Sequence, residues 1–411
     1  MRKFDFLVLG ASGMQGEIVA RDLLERGYSV LLTDVLKNGS GEMIIKYPKA
    51  EFRYSDNRKL MKLIKLIKKS GADVVINCAE SDWNLNVYRA CLAARVNVVD
   101  LDSDIVTTEK QLAMFPLFEK RKLTAITGCG STPGINNIML NYASKQFDSI
   151  ETMNLGFSWN SSMEKFVMPF SMHSIAWEFT KPASVVENGE MKTRPPLSMS
   201  IETNFKLIGR QTAYLVEHTE IFTFFHYFKE KGLKNVHFYA GFPKHSFNVI
   251  SSLVEAGLAS WQKVQLENKI KVTPLDVVTE VARKIEFPDS YTESENIWIE
   301  IIGKRDGEVK RVIMECAVPP LKGWEDHGCN VDTGMPASII AQMIKDGRIS
   351  TRGSFAPEAI VPEEEFFKEL WNRGMIVYQN NIPIKGIIIE EPARHRKSKN
   401  DRVHLETKAV A

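Results

Sequence analysis

The stretch that most constrains this chain is Gly10-Ala11-Ser12-Gly13-Met14-Gln15-Gly16, set between an apolar run and an amphipathic one. Phe6-Leu7-Val8-Leu9 reads as a buried strand, and in residues 17–24 the apolar positions recur at helical spacing. A second apolar run, Val30-Leu31-Leu32-Thr33, ends on Asp34. Strand, glycine turn, helix, strand and acid in this order make a dinucleotide-binding βαβ unit. One glycine permits the tight turn, one lets the backbone approach a pyrophosphate, and one lets helix and strand pack closely. The free N–H groups at the helix start then face the phosphate charge. Gly10, Ser12, Gly13, Met14, Gln15 and Gly16 are therefore the candidate cradle. The glycine trio alone would equally suit an ordinary strand-to-helix turn; the flanking elements and the acid favour the cradle. Asp34 is placed to bond a ribose 2′-OH and to repel a 2′-phosphate, which favours NAD. Lys37, close by in sequence, softens that preference and keeps NADP admissible.

Alternation continues through the first third. Residues 73–78, 96–100 and 123–127 read as further strands, and 59–69, 83–94 and 105–122 as helices. The expected architecture is α/β: a Rossmann-type doubly wound parallel sheet. Ligands bind such sheets beyond the carboxyl ends of the strands. That rule selects Cys78, Ala79, Glu80 and Asp100 on the cofactor side, Asp102 beyond the fifth strand, and the loop 128–134. This loop carries three glycines with Cys129, Thr132, Pro133 and Gly134, candidates for substrate contact. A loop that crosses between domains without touching ligand would look the same, and a free cysteine is commonly a small core residue. The basic helix 59–69 reads as a crossover helix with a solvated face, a membrane-surface helix being the alternative.

From about residue 149 strands dominate: 152–159, 205–208, 213–217, 236–240, 297–302 and 309–317, with a helix around Leu253, Val254 and Leu258. The expectation is an α+β second domain with a mostly antiparallel sheet and a hairpin at 303–307. Residues 337–345 read as a helix with Gly347 just past its end, and Pro362-Glu363-Glu364-Glu365 as the start of another. Glu217-His218-Thr219-Glu220 reads as a strand end. Residues two apart on a strand share a face, so His218 and Glu220 form a candidate acid/base pair; a satisfied histidine is the alternative.

The composition excludes several classes. A net charge of +2 makes no case for a nucleic-acid partner, and no run of 18 apolar residues suggests a membrane span. The amino terminus enters the first strand at once, with no signal-peptide pattern. Five scattered cysteines without a C-x-x-C pair, and histidines without ligand spacing, argue against disulfides and a metal site. Cytoplasm is the default compartment.

Taken together, these stretches resemble the saccharopine dehydrogenase family. The resemblance rests on residues 10–16; on Val74-Val75-Ile76-Asn77-Cys78-Ala79, Ala90-Cys91 and Val98-Val99-Asp100-Leu101; on residues 128–137; and on Thr333-Gly334-Met335-Pro336-Ala337-Ser338 followed by residues 353–358. The second domain is similar to the lysine 6-dehydrogenase-like branch through Lys181-Pro182-Ala183-Ser184-Val185-Val186-Glu187-Asn188-Gly189, Gly209-Arg210, His218-Thr219-Glu220 and Gly241-Phe242-Pro243. Ala79-Glu80 and Asn330-Val331-Asp332 depart from the family pattern and put the substrate in question. The resemblance implies a dinucleotide-binding domain (1–135), an inserted α+β substrate and dimerisation domain (136–330), helices returning to the first domain (331–380) and a charged tail (393–411). It also implies a homodimer that oxidises a C–N bond of an amino acid with NAD(P). The expected substrate is L-lysine, giving its 6-semialdehyde and ammonia; the alternatives are saccharopine or a carboxynorspermidine-type compound, or a non-catalytic NAD(P)-binding sensor. His218 with Glu220, or else Asp102, would serve as base, and Arg210 with the amides around 132–134 would hold a substrate carboxylate.

Overall fold

The computed structural model describes residues 3–36, 41–288 and 290–384; Lys37 and the charged tail fall outside this set. The chain begins with β1 (Phe6–Leu9), α1 (Met14–Glu25), β2 (Val30–Asp34), α2 (Gly41–Lys46), β3 (Ala50–Tyr54), α3 (Leu60–Ser70), β4 (Val74–Asn77), α4 (Asn84–Ala94) and β5 (Asn97–Asp100). It continues with α5 (Ile105–Leu112), α6 (Phe115–Arg121), β6 (Thr124–Ile126) and α7 (Ile135–Ser144). The second region holds β7 (Ser149–Ser161), α8 (Met172–Thr180), β8 (Ala183–Glu187), β9 (Glu190–Arg194), β10 (Ser200–Phe205), β11 (Gly209–Leu215), α9 (Glu220–Phe228) and β12 (Asn235–Gly241). After it come α10 (Lys244–Glu255), β13 (Val264–Gln265), β14 (Lys271–Val272), α11 (Pro274–Ala282), β15 (Glu293–Arg305) and β16 (Glu308–Val318). The chain then forms α12 (Val331–Lys345), β17 (Gly353–Phe355), α13 (Pro357–Ile360), α14 (Glu363–Trp371), β18 (Ile376–Gln379) and β19 (Ile382–Pro383).

The first sheet runs β3-β2-β1-β4-β5-β6-β17, and every pair in it is parallel. Strand order reverses between β1 and β4, the switch point at which doubly wound sheets bind ligands. β1 and β4 are buried at every position, as strands covered on both faces must be. β3 has no apolar run and lies half-buried at the sheet edge, so hydrophobic patterning does not reveal it. The lysines of α3 are exposed, while Leu63 and Ile67 are buried beneath it.

The second sheet has ten strands, with β10-β11-β12-β7-β15-β16-β18-β19 as its path and β8 pairing with β12 and β9. It is antiparallel apart from β7 with β12. The β15–β16 hairpin closes through Asp306 and Gly307, both at positive φ, as a two-residue hairpin turn of this kind requires. Two sequence expectations shift. Residues 206–208 form the turn of the β10–β11 hairpin, because Phe205 pairs with Gly209. Residues 216–219 form a loop, and Glu220 opens α9.

The carboxyl-terminal segment divides between the two sheets. β17 adds to the first sheet, and α12 packs on α1, where a Cβ on Gly334 would stand 2.5 Å from Ile18 Cγ2. α12 begins at residue 331, ahead of Pro336, because its first turns are fixed by that packing. β18 and β19 instead extend the second sheet, so the returning segment of the sequence expectation ends before residue 376. None of the helices among the described residues is long and apolar enough to cross a membrane.

A buried ion pair fixes the return. Arg373 donates from Nε and Nη2 to the two Asp22 carboxylate oxygens, each at 2.9 Å, and Ser338 Oγ donates to the same carboxylate at 2.6 Å. Burial would raise the Asp22 pKa, but Arg373 and Ser338 outweigh it and hold it below the usual carboxylate value. Arg373→Ala leaves this carboxylate buried beside an empty space and should cost about 3–5 kcal/mol in chemical denaturation. Pairing it with Asp22→Leu should recover much of the loss; a single variant with unchanged stability would contradict the assignment.

Candidate active site

The glycine loop closes against the end of β4. Gly10 has φ +76°, and a Cβ there would stand 2.8 Å from the Ala79 nitrogen. A Cβ on Gly16 would stand 2.0 Å from the Gly10 oxygen, so any side chain would push α1 off the turn. Gly13 is the open member, its nearest neighbour at that position being the Gly10 oxygen at 3.5 Å. It is also the N-cap of α1 without a side-chain cap, and the N–H of Glu17 is the first to reach back, to the Gly13 oxygen. The N–H groups of Met14, Gln15 and Gly16 precede that first bond and are the donors an anion would use. Ser12 Oγ is shielded and has no hydrogen-bond partner. Asp34 accepts from the Ser12 and Leu36 N–H groups, at 3.0 and 3.1 Å, and so braces the loop whose ligand it would also contact. These features fit a dinucleotide.

A cavity of about 580 Å³ opens from this cradle into the space between the two sheets. On the first-domain side Gly13, Met14 and Gln15, then Cys78, Ala79 and Glu80, and Thr132 with Pro133, line it. On the other side stand Phe157, Trp159, Glu178, His218 and Glu295, with Asp332 from the start of α12.

His218 sits in the loop after β11, its ring stacked on Phe238 with centroids 3.8 Å apart. Its Nδ1 is hydrogen-bonded to Glu220 Oε2, which leaves Nε2 to the cavity. Glu220 is fully buried, and its other oxygen accepts from Asn136 Nδ2 at 2.9 Å. Burial by itself lowers the His218 pKa; Glu220 first, then Glu178 and Glu217, outweigh it, so the net shift is upward and imidazolium is favoured. Asn136 lies in the first turn of α7, directly after the loop 128–134. Its neighbour Asn137 accepts from the Gly134 N–H at 2.8 Å and donates to Glu358 at 2.8 Å. The His218–Glu220 pair is thus tied to the helix that follows the loop 128–134.

Several sequence candidates lie elsewhere. Asp100 is fully buried and accepts from the Gly128 and Asp102 N–H groups, Thr127 and Gln111. It braces two loops and does not line the cavity. Asp102 is also buried behind the wall, and burial with the nearby Asp100 pushes its pKa up to about 7. Cys129 is a core residue whose Sγ donates to the Ile126 carbonyl, and burial raises its pKa. Gly134 serves the turn: a Cβ would stand 1.8 Å from the Gly130 oxygen. Arg210 is exposed on the β10–β11 hairpin and paired with Glu202 at 2.7 Å, so it is not a cavity cation. Arg283, beyond the end of α11, does line the cavity.

No sequence motif marks Glu178 or Glu295, Asn136 shows only within the stretch 128–137, and Asp332 shows only as a departure from the family pattern. Glu178 had a signal, a lone acid in the apolar helix Met172–Thr180. Glu295 had none, because it stands in the polar run Glu293-Ser294-Glu295-Asn296 that opens its strand. Burial pushes the Glu178 pKa up to about 8 and that of Asp332 to about 7; Glu295, facing Asp332, is raised by burial first and by that neighbour next. No group of three or more His, Cys, Asp and Glu among the described residues is arranged to hold a metal ion.

Residues 6–126 match the family model "Saccharopine dehydrogenase NADP binding domain", and residues 130–375 match "Saccharopine dehydrogenase C-terminal domain". The chain belongs to the saccharopine dehydrogenase family. It is an NAD(P)-dependent oxidoreductase. Among relatives, a carboxyaminopropylagmatine dehydrogenase of Synechocystis is 26% identical over 385 residues, 90% of this chain and 96% of that protein. A carboxynorspermidine synthase of Vibrio alginolyticus is 26% identical over 322 residues, 73% of this chain and 76% of the relative. The saccharopine dehydrogenase (L-Glu forming) of Saccharomyces cerevisiae superposes with a TM-score of 0.71 at 14% identity, covering 92% of this chain and 99% of that one; it shares the fold.

Asp34→Ser keeps an oxygen for the loop but removes the charge at the ribose end of the cradle. It should raise the NADP:NAD ratio of kcat/KM about tenfold, the equivalent of ~1.4 kcal/mol. An unchanged ratio would mean that Asp34 only braces the loop.

Proposed function

We propose that this enzyme transfers hydride between NAD(P) and the C–N bond joining an amino acid to a polyamine, as in a carboxynorspermidine-type dehydrogenase. The carrying observation is the buried His218–Glu220 pair on the cavity wall across from the glycine cradle. The two relatives with 26% identity are named for carboxylated polyamines, which favours this substrate class over L-lysine. Five free cysteines, four of them buried, accord with a cytoplasmic enzyme, and the family resemblance with a homodimer.

The bound nicotinamide supplies the hydride chemistry. The chain's own task is to manage protons. In the oxidative direction the substrate nitrogen must lose a proton before the C–H bond is broken, and His218 Nε2 is the acceptor. Once His218 has passed that proton to solvent, its neutral ring takes the proton of the water that attacks the iminium carbon and returns it to the nitrogen as the C–N bond breaks, giving a carbonyl product and a free amine. In the reductive direction the imidazolium returns a proton to the nitrogen. Glu220 orients the ring through Nδ1 and stabilises its charged form, while Asn136 fixes Glu220.

His218 has a raised pKa, so imidazolium persists above the ordinary 6.5 and is lost as pH rises through the folded value. Oxidation needs the neutral ring, so its rate rises with pH across that window. Glu220→Gln removes the strongest opposing charge and lets burial dominate, moving the acid limb of the oxidative kcat/KM profile to lower pH. An unmoved limb would detach the profile from His218. His218→Ala should lower kcat by roughly 10²–10⁴-fold.

The substrate class is tested by nicotinamide absorbance with carboxynorspermidine, saccharopine and L-lysine as donors. The highest kcat/KM should be found with carboxynorspermidine. Preference for L-lysine would restore the lysine reading. Measurable NAD(P) binding with no reduction by any amine would point to a sensor.

A further inference from the structure

The wall of the cavity beyond His218 is acidic to a degree that proton transfer does not require. Glu178 is 7% exposed, lines the cavity, and has a carboxylate oxygen, Oε2, without a hydrogen-bond partner. Glu295 from β15 and Asp332 from α12 face each other on the same cavity. Phe157 and Trp159 provide adjoining apolar surface. Among the described residues, no lysine lines this cavity. A buried carboxylate without a donor is costly and persists only where a partner arrives or a proton stays.

We infer that Glu178, together with the Glu295–Asp332 pair, is the seat for an ammonium group of the substrate remote from the C–N bond that reacts. This deepens the polyamine reading and rests on it for the substrate's identity. A saturated ammonium has three donors and no acceptor, which matches a wall of carboxylate oxygens. The apolar surface beside it suits the methylene chain. The seat therefore selects substrates by amine spacing, and the reacting carbon is positioned by charge at the far end of the chain.

The charged groups that share the cavity with Glu178 are His218 after β11, Glu295 on β15, Asp332 on α12, Arg283 beyond α11 and Glu80 after β4. Burial is the largest influence on Glu178 and holds its proton near neutral pH, with His218 opposing. An arriving ammonium favours the ionised form, so the proton leaves to solvent as the amine binds. Glu178→Gln copies the protonated carboxyl in shape and charge, so the empty protein keeps its fold and loses only the capacity to ionise.

The test is isothermal titration of the full-length protein with putrescine, with butanediol as the uncharged counterpart, in buffers of differing ionisation enthalpy. The wild type should bind putrescine and release about one proton, while butanediol should not bind. Glu178→Gln should weaken putrescine binding by roughly thirtyfold or more and reduce the proton release, and Glu295→Gln should weaken binding independently. Putrescine binding that is absent from the wild type, or unchanged in both variants, would overturn the inference. Because this readout needs no turnover, it separates the two claims: an ammonium seat without oxidation of carboxynorspermidine would remove the proposed reaction and keep the seat. Oxidation without Glu178-dependent diamine binding would do the reverse.

Discussion

The hydrogen bond from Asn136 to the buried Glu220 carboxylate is the constraint on which the active-site arrangement depends. Glu220 has no exposed surface, so its charge must be met from within the protein. Asn136 meets one oxygen and His218 the other. Asn136 stands at the start of α7, whose position follows from the turn at residues 128–134 at the end of the first sheet. Through this contact, and that of Asn137 with Thr223 between the same two helices, the His218–Glu220 pair is tied to the loop that ends the first sheet. A pair of that kind placed on a freely hinged domain could not keep a reacting carbon and a proton acceptor in fixed relation.

The same economy recurs where the chain returns. Residues 331–355 come from far along the sequence, yet α12 lies against α1 and β17 completes the first sheet. Close approach of α12 at Gly334 and the Asp22–Arg373 ion pair fasten this return. Asp332 reaches the cavity only because α12 begins there. The site is therefore assembled from the first domain, the inserted sheet and the returning helix.

Much of the first domain was legible in the sequence because its strands are continuous apolar runs and its turns carry glycines with defined work. Gly10 and Gly16 were readable for that reason, and so was the hairpin at Asp306-Gly307. β3 was not, since an edge strand need not be apolar. The His218–Glu220 pair was found by an argument that the structure replaces: the two residues straddle a loop and a helix start, and their meeting comes from the turn into α9. Arg210 was a reasonable cation by composition but sits on a solvent-facing hairpin, bound to Glu202. Asp100 and Cys129 lie at the carboxyl ends of strands, as ligand-binding residues should, yet point into the protein; sequence gives the end of a strand but not the direction of its last side chains. Glu178 and Glu295 belong to elements 100 residues and more from one another in sequence, about 100 being the order of a small domain, and only the folded insert brings them to one wall.

One electrostatic relation governs the His218 ring: the Glu220 charge outweighs burial. An NMR titration of the His218 imidazole in the intact protein measures this directly. The midpoint should lie above the ordinary 6.5. A midpoint at or below that value would show that burial prevails and that Glu220 does not set the charge of the His218 ring.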